Sequence, residues 1–173
     1  ERRNGSGYAV IIVDHFFKDG RLNSEIQPEP QDIIFYLDTT DEPKTKTIDA
    51  YVSRIRDEKT GQPCAVVGIG GGSTMDVAKA VSIMLTNPGE THEYQGWDLV
   101  HNQPVYKIGI PTLSGTGSEV SRTTVLTGPV KKQGINSDFT LFDQIIQDPL
   151  LPETVPADQN FYTGMDCYIH CVE

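Results

Sequence analysis

Apolar and polar positions alternate along the chain in blocks. Tyr8-Ala9-Val10-Ile11-Ile12-Val13-Asp14 is an apolar run that ends on an acid. Such runs suit strands of a parallel sheet covered on both faces. Ile33 to Leu37, Cys64 to Ile69 and Val105 to Ile110 repeat the pattern. Between them, Thr45 to Arg56 spaces Ile48, Tyr51, Val52 and Ile55 at helical intervals, with charged residues on a solvated face. Thr74 to Leu85 predicts a buried helix that stops before Asn87-Pro88-Gly89. Strand, helix, strand, helix at these lengths predicts a doubly wound α/β sheet. Residues 18–31, with Pro28 and Pro30, read as a loop, and Glu90 to Gln103 as a polar surface segment. Ser121 to Thr127 has β propensity and Gly128-Pro129 turns it; Thr140 to Ile146 reads as one more strand, ended by Asp148-Pro149. Pro152 and Pro156 mark a connector, so the expected domains are 1–150 and 151–173. Met165 to Glu173 reads as the middle of a helix with no stop signal, and a longer protein is expected to continue past Glu173.

Two of the predicted strands end in glycine-rich turns. After Val66 to Ile69 comes Gly70-Gly71-Gly72-Ser73-Thr74-Met75-Asp76, leading into the Ala-rich helix. Glycine lets a backbone approach a ligand closely. The first N–H groups of a helix lack intrahelical partners, so the turn is a candidate phosphate or pyrophosphate site. The plainer alternative is a strand-to-helix turn that needs glycine for geometry alone. After Ile110 comes Pro111-Thr112-Leu113-Ser114-Gly115-Thr116-Gly117-Ser118-Glu119, whose hydroxyls and free N–H groups can hold phosphate or ribose, or simply form a turn with a helix cap at Ser118. Asp14 ends a third strand, where open α/β sheets bind ligands. It can accept hydrogen bonds from a ribose diol and repel a 2′-phosphate, or else merely start a loop. Three such features at strand ends favour one shared crevice over three coincidences.

The chain has 173 residues, enough for a real core, and a net charge of −10. That acidity disfavours nucleic acid and anionic membranes as partners. No apolar run approaches the roughly 20 residues that span a bilayer. The cysteines are Cys64, Cys167 and Cys171, an odd small set that fits reduced thiols in a cytoplasmic protein. His92 and His101 lack spaced partners and read as loop residues, and Lys131 and Lys132 as a surface pair or a cofactor contact. Asp166 and His170 are four apart, on one helix face if helical. An oxygen and an imidazole suit iron, zinc or another divalent ion, although a capping or hydrogen-bonded pair is the commoner use.

Gly70-Gly71-Gly72-Ser73 with Asp76 and Lys79, Pro111-Thr112 with Gly115 to Glu119, and Gly164-Met165-Asp166 with His170 and Glu173 together resemble the iron-containing (group III) alcohol dehydrogenases. The motifs stand in the family's order and cover most of the chain from Tyr8 onward. The resemblance implies a Rossmann-like, parallel-sheet nucleotide-binding domain followed by the start of an all-helical metal-binding domain. It implies NAD lying across both glycine turns. Gly71, Gly72, Ser73, Thr74, Met75 and Asp76 would hold its pyrophosphate side, and Thr112, Leu113, Ser114, Gly115 and Thr116 its adenosine and ribose side. Asp14 matches the acid that favours NAD over NADP, and Lys132 the cofactor-contacting lysine. Asp166 and His170 match two of four metal ligands, the other two being histidines further along. Two departures stand out: Leu113 replaces a threonine, and Glu42-Pro43 stands where Asn-Pro is common.

The activity so implied is hydride transfer between NAD and an alcohol or aldehyde, with the metal polarising the substrate oxygen and no protein nucleophile. A homo-oligomer, taken as a dimer, is expected. The rivals are oxidation of a terminal hydroxyl of an acid sugar of the 3-deoxy-octulosonate type, a dehydroquinate synthase or glycerol dehydrogenase relative, and a non-catalytic nucleotide-binding domain. The Gly-Thr-Gly-Ser-Glu turn favours the alcohol dehydrogenases over the fold relatives.

Overall fold

The computed structural model of the chain describes residues 7–19 and 26–172. Glu1 to Ser6, the middle of the 18–31 loop and Glu173 lie outside the described residues. The four expected strands form as β1 (Ala9–Asp14), β2 (Ile33–Leu37), β3 (Ala65–Gly70) and β5 (Lys107–Pro111). With β8 (Gln144–Ile145) they make one parallel sheet in the order β2-β1-β3-β5-β8. The chain runs outward from β1 to β2 and then returns to β3 on β1's other side. The strand order therefore reverses between β1 and β3, the position where open α/β sheets bind ligands beyond their carboxyl ends. Register puts Val13 beside Ile69 and Gly70 beside Pro111, so Asp14 and both glycine turns emerge from the same edge.

The period-2 alternation of side chains divides β1 between two cores. Val10 and Ile12 face the larger one, with Ile48, Val52 and Ile55 of α1 (Thr45–Glu58) and Val77, Ala78, Ala80, Val81, Ile83 and Met84 of α2 (Gly72–Met84). Ala9, Ile11 and Val13 face a smaller cluster with Ile69, against which Phe17, Ile26 and Tyr36 pack. Both helices thus cover one face of the sheet. Gly68 permits this fit, since a Cβ there would lie 2.8 Å from Ala78 Cβ.

A second sheet, β4 (Gly96–Trp97), β7 (Lys132–Asn136) and β6 (Thr123–Thr127), was not expected as a unit. β6 and β7 form the hairpin around Gly128-Pro129. Only Ile135 of β7 is buried, so its sequence carries no alternation to read. The strand expected over Thr140 to Ile146 is instead a 3₁₀ turn, Asp138–Thr140, followed by the two residues of β8. Ser137 accepts from the Phe139 N–H and starts that turn, and the Phe142 ring then packs on Gly109, bending the chain away from an extended run. The final helix, α3 (Ala157–Val172), begins eight residues before Met165 and has no buried residue. It exposes Phe161, Tyr162, Tyr168 and Val172. Among the described residues no helix is long and apolar enough to cross a membrane.

Candidate functional site

A cavity of about 490 Å³ opens at the carboxyl ends of β1, β3 and β5. One wall is the first glycine turn and the start of α2: Gly71, Gly72, Ser73 and Thr74. The other is Thr112, Leu113, Ser114 and Thr116. Asp14 stands at the floor, and Gln159 and Thr163 of α3 close the far side. The two turns touch directly. Thr112 N donates to Gly70 O at 3.0 Å, and a Cβ on Gly72 would lie 2.7 Å from Thr116 Oγ1. A Cβ on Gly70 would lie 2.7 Å from Thr74 Cβ and 3.1 Å from Asp14 Cβ. The glycines let three loops converge on one space.

Two features fit this wall to an anion. No side chain caps α2, whose N-cap is Gly71, so the opening N–H groups of Gly72, Ser73 and Thr74 have no partner in the helix. Thr74 is fully buried, and its Oγ1 has no hydrogen-bond partner among the described residues. A buried hydroxyl without a partner is costly unless a ligand supplies one. Asp14 is held in place: its Oδ1 accepts from Phe16 N at 3.0 Å and its Oδ2 from Thr39 Oγ1 at 3.1 Å. His15, Phe16, Phe17 and Thr39 also line the cavity and were not singled out from the sequence. They directly follow the ends of β1 and β2, so the strand-end rule that selected Asp14 extends to them. Leu151, Thr154, Val155, Pro156 and Gln159 join the lining with no local signal of it.

Not every expected contact faces the cavity. Met75 is 1% exposed and belongs to the core, and its N–H donates to Gly71 O. Asp76 points away, its Oδ1 accepting from Ser118 Oγ at 2.7 Å. The cap of the short turn Ser118–Val120 is Gly117, in the left-handed region at φ 62°, rather than Ser118. Burial pushes the Asp76 carboxyl up to about 6, against the pull of Ser118 and Lys79. Lys79, fully buried, donates to the carbonyls of Ser118, Ser121 and Thr123. Burial brings its ammonium down to about 8, opposed by Asp76 and Glu119. Gly115 lies against α3, where a Cβ would be 3.0 Å from Thr163 O.

Lys132 lies on the hairpin, paired with Glu42, three residues past Thr39 and outside the lining. Asp166 and His170 share one face of α3, with Oδ1 to Nε2 at 3.9 Å and both side chains about half exposed (43% and 52%). That separation is too long for a hydrogen bond, and it leaves an oxygen and an imidazole side by side. Among the described residues no third His, Cys, Asp or Glu joins them. His92 is exposed and pairs with Glu90, and the three cysteines are free thiols.

An open parallel α/β sheet with its cavity at the strand-order reversal, and with α1 and α2 on one face rather than the doubly wound arrangement expected, defines a class of small-ligand-binding proteins. Comparison narrows it. The family model described as iron-containing alcohol dehydrogenase matches residues 2–149. Long-chain-alcohol dehydrogenase 1 of Geobacillus thermodenitrificans is 33% identical over 179 residues, covering 99% of this chain and 45% of that protein. NAD-dependent methanol dehydrogenase of Bacillus methanolicus is 31% identical over 98% of this chain and 45% of its own length. The crystal structure of sulfoacetaldehyde reductase from Bifidobacterium kashiwanohense in complex with NAD+ superposes with a TM-score of 0.81 at 32% identity, covering 92% of this chain and 43% of that one. This chain belongs to the iron-containing alcohol dehydrogenase family, and spans less than half the length of these relatives.

Proposed function

We propose that the chain is the dinucleotide-binding part of an NAD-linked, metal-dependent alcohol dehydrogenase. Its substrate is an alcohol or the corresponding aldehyde, and its reaction is hydride transfer. The observation that carries this is the convergence of both glycine turns, Asp14 and the unpartnered Thr74 hydroxyl on one cavity. Family membership supports it, as does the NAD+ bound to a relative of the same fold.

In this proposal the N–H groups of Gly72, Ser73 and Thr74, with the Thr74 hydroxyl, receive the pyrophosphate. Thr112, Leu113, Ser114 and Thr116 bound the other side of the nucleotide. Asp14, already oriented by Phe16 N and Thr39, accepts the hydroxyls of a ribose. Its charge opposes a 2′-phosphate, which sets NAD above NADP. Thr163 and Gln159 narrow the opening toward α3 and limit water above the bound cofactor. Fixing the dinucleotide in one orientation turns an encounter of two molecules into a step within one complex. Asp166 and His170 fit two positions of a divalent ion, iron first and zinc second, and cannot complete its shell alone. When bound, NAD accepts or returns the hydride and the metal supplies Lewis acidity toward the substrate oxygen.

The domain boundary belongs to the same proposal. Residues 151–173 open a helical metal-binding domain, which accounts for the apolar side chains that α3 leaves exposed. A homodimer is the proposed assembly, checked by analytical ultracentrifugation. Nothing among the described residues singles out an acid sugar as substrate. Calorimetric titration with NAD+ and NADP+, followed by NADH formation from a panel of alcohols and sugars with Fe(II) or Zn(II), tests the whole. NAD+ is expected to bind more tightly than NADP+, and Asp14→Gly to close that gap. Failure of both dinucleotides to bind removes the proposal.

A further inference from the structure

The second glycine turn is fastened to α2 by polar bonds from Asp76 and Lys79, neither of which lines the cavity. Asp76 Oδ1 accepts from Ser118 Oγ at 2.7 Å, and Ser118 N donates back to Thr116 Oγ1 at 3.2 Å. Thr116 fills the space over Gly72. Two turns of the helix are involved: Asp76 is four residues beyond Gly72, and Lys79 three further. Lys79 Nζ gathers Ser121 O and Thr123 O at 2.9 Å and also Ser118 O. Thr124 Oγ1 donates to the Asp76 carbonyl at 2.7 Å. The loop from Thr116 to Thr124 is thus bonded along its length to the helix whose first turn forms the opposite wall.

We infer that Asp76 and Lys79 are positioning residues: they fix the distance between the two glycine turns, and with it the fit of a dinucleotide pyrophosphate, without touching the ligand. This rests on the dinucleotide proposal above. Lys79 is fully buried and Asp76 partly buried, and both reach the second turn through hydrogen bonds of their own. A carboxylate so far removed from water costs stability in its charged form, because desolvation favours the neutral acid. The charged form earns its place if it holds the hydroxyl of Ser118 in one orientation. The groups facing the Asp76 carboxylate are the Ser118 hydroxyl, Lys79, the Val125 N–H and Lys132; Glu119 and Lys107 in turn face Lys79.

Stability and binding should therefore move in opposite directions. As pH falls through about 6, Asp76 becomes neutral and its folded form is favoured, while its grip on Ser118 weakens. NAD+ affinity is measured by calorimetry from pH 5 to 8 on the protein, Asp76→Asn and Ser118→Ala, with thermal unfolding in parallel. The wild-type protein is expected to bind NAD+ about fivefold more weakly at pH 5 than at pH 8, the margin between a charge-assisted and a neutral hydrogen bond. Asp76→Asn should bind at every pH as the wild type does at pH 5, with no loss of thermal stability. Ser118→Ala, which keeps the carboxylate, should be weakened at pH 8 by a similar factor. Wild-type affinity and pH profile in both variants overturn the inference. So does weakened binding that only tracks a lowered unfolding temperature. Absence of NAD+ binding by the wild-type protein at every pH instead removes the dinucleotide proposal itself.

Discussion

Gly72 has no room for a methyl group. A Cβ there meets the Thr116 side chain at 2.7 to 3.2 Å, with Thr116 itself tied to Ser118. Gly72→Ala must therefore push the second turn outward or strain its own helix turn. Overpacking of this kind costs about 1 to 3 kcal/mol. Urea unfolding should show that loss, and NAD+ affinity should fall with it, because both walls of the cavity move. An unchanged unfolding midpoint would show that the two turns are not in contact. The importance of this position was legible in the sequence: a β-branched run followed by three glycines has few other uses. The residue against it was not. Nothing local to Thr116 says which of two hydroxyls turns inward, and Asp76, one helical turn on, looked equally able to face a ligand. That choice is made by Ser118, forty-two residues away in the chain.

At the level of elements, α2 shows where pattern reading stops. Its apolar positions announce a buried helix, and ten of its residues are buried. One of them is Lys79, which a helical pattern assigns to a wet face. Three carbonyls from the loop after the second turn receive its ammonium, and only tertiary structure supplies them. The second sheet escaped for a related reason: β7 buries a single residue, so its position follows from pairing with β6 and not from its own alternation. Lys79→Ala removes the ammonium donor from all three carbonyls, of which Ser118 O and Thr123 O keep a bond from Ser121, and removes the nearby positive charge that lowers Asp76. A loss of about 2 to 3 kcal/mol is expected in chemical unfolding at pH 7, the scale of a hydrogen bond to a charged group. Asp76 adds a pH dependence of defined sign. Its carboxyl titrates near 6 in the folded protein and near its ordinary value of 3.8 when unfolded. Between those values the folded state holds the extra proton, so stability from this group is complete below about pH 4 and is lost as pH rises through 6. Relative to Asp76→Asn, the wild-type protein should lose roughly 3 kcal/mol across that interval, from two units at about 1.4 kcal/mol each. Lys79 works the other way: its ammonium titrates near 8 when folded, so its penalty is relieved above that pH. Unfolding curves of the two proteins at pH 4, 5, 6 and 7 check the first of these; parallel curves without convergence or crossing would show that Asp76 is not buried as a charge.

At the scale of the whole molecule, the cavity and the proposed metal pair are separate among the described residues. Asp14, the glycine turns and the Thr112 to Thr116 wall lie at the sheet's carboxyl edge, while Asp166 and His170 sit on α3 and line no part of the cavity. The two are linked through Thr163, one helical turn before Asp166, which packs on Gly115 and also lines the cavity. On the proposed function, a helix that meets the cavity through Gln159 and Thr163 and carries the proposed ligands on a half-exposed face can bring a metal close to a bound cofactor while sharing no ligand with it. Dinucleotide binding should then be independent of the metal, and turnover should not. His170→Ala in the full-length protein is expected to lose bound metal, measured by plasma mass spectrometry, and to lose turnover with it. Its NAD+ affinity should stay within about twofold, since no cavity contact is removed and distant sites act additively. Chelation of the wild-type protein should give the same pair of results, reversed on adding Fe(II) or Zn(II). If metal content and turnover both survive His170→Ala, the assignment of Asp166 and His170 is wrong. If NAD+ binding collapses along with the metal, the two sites form one, and α3 holds the cofactor through more than Thr163 and Gln159.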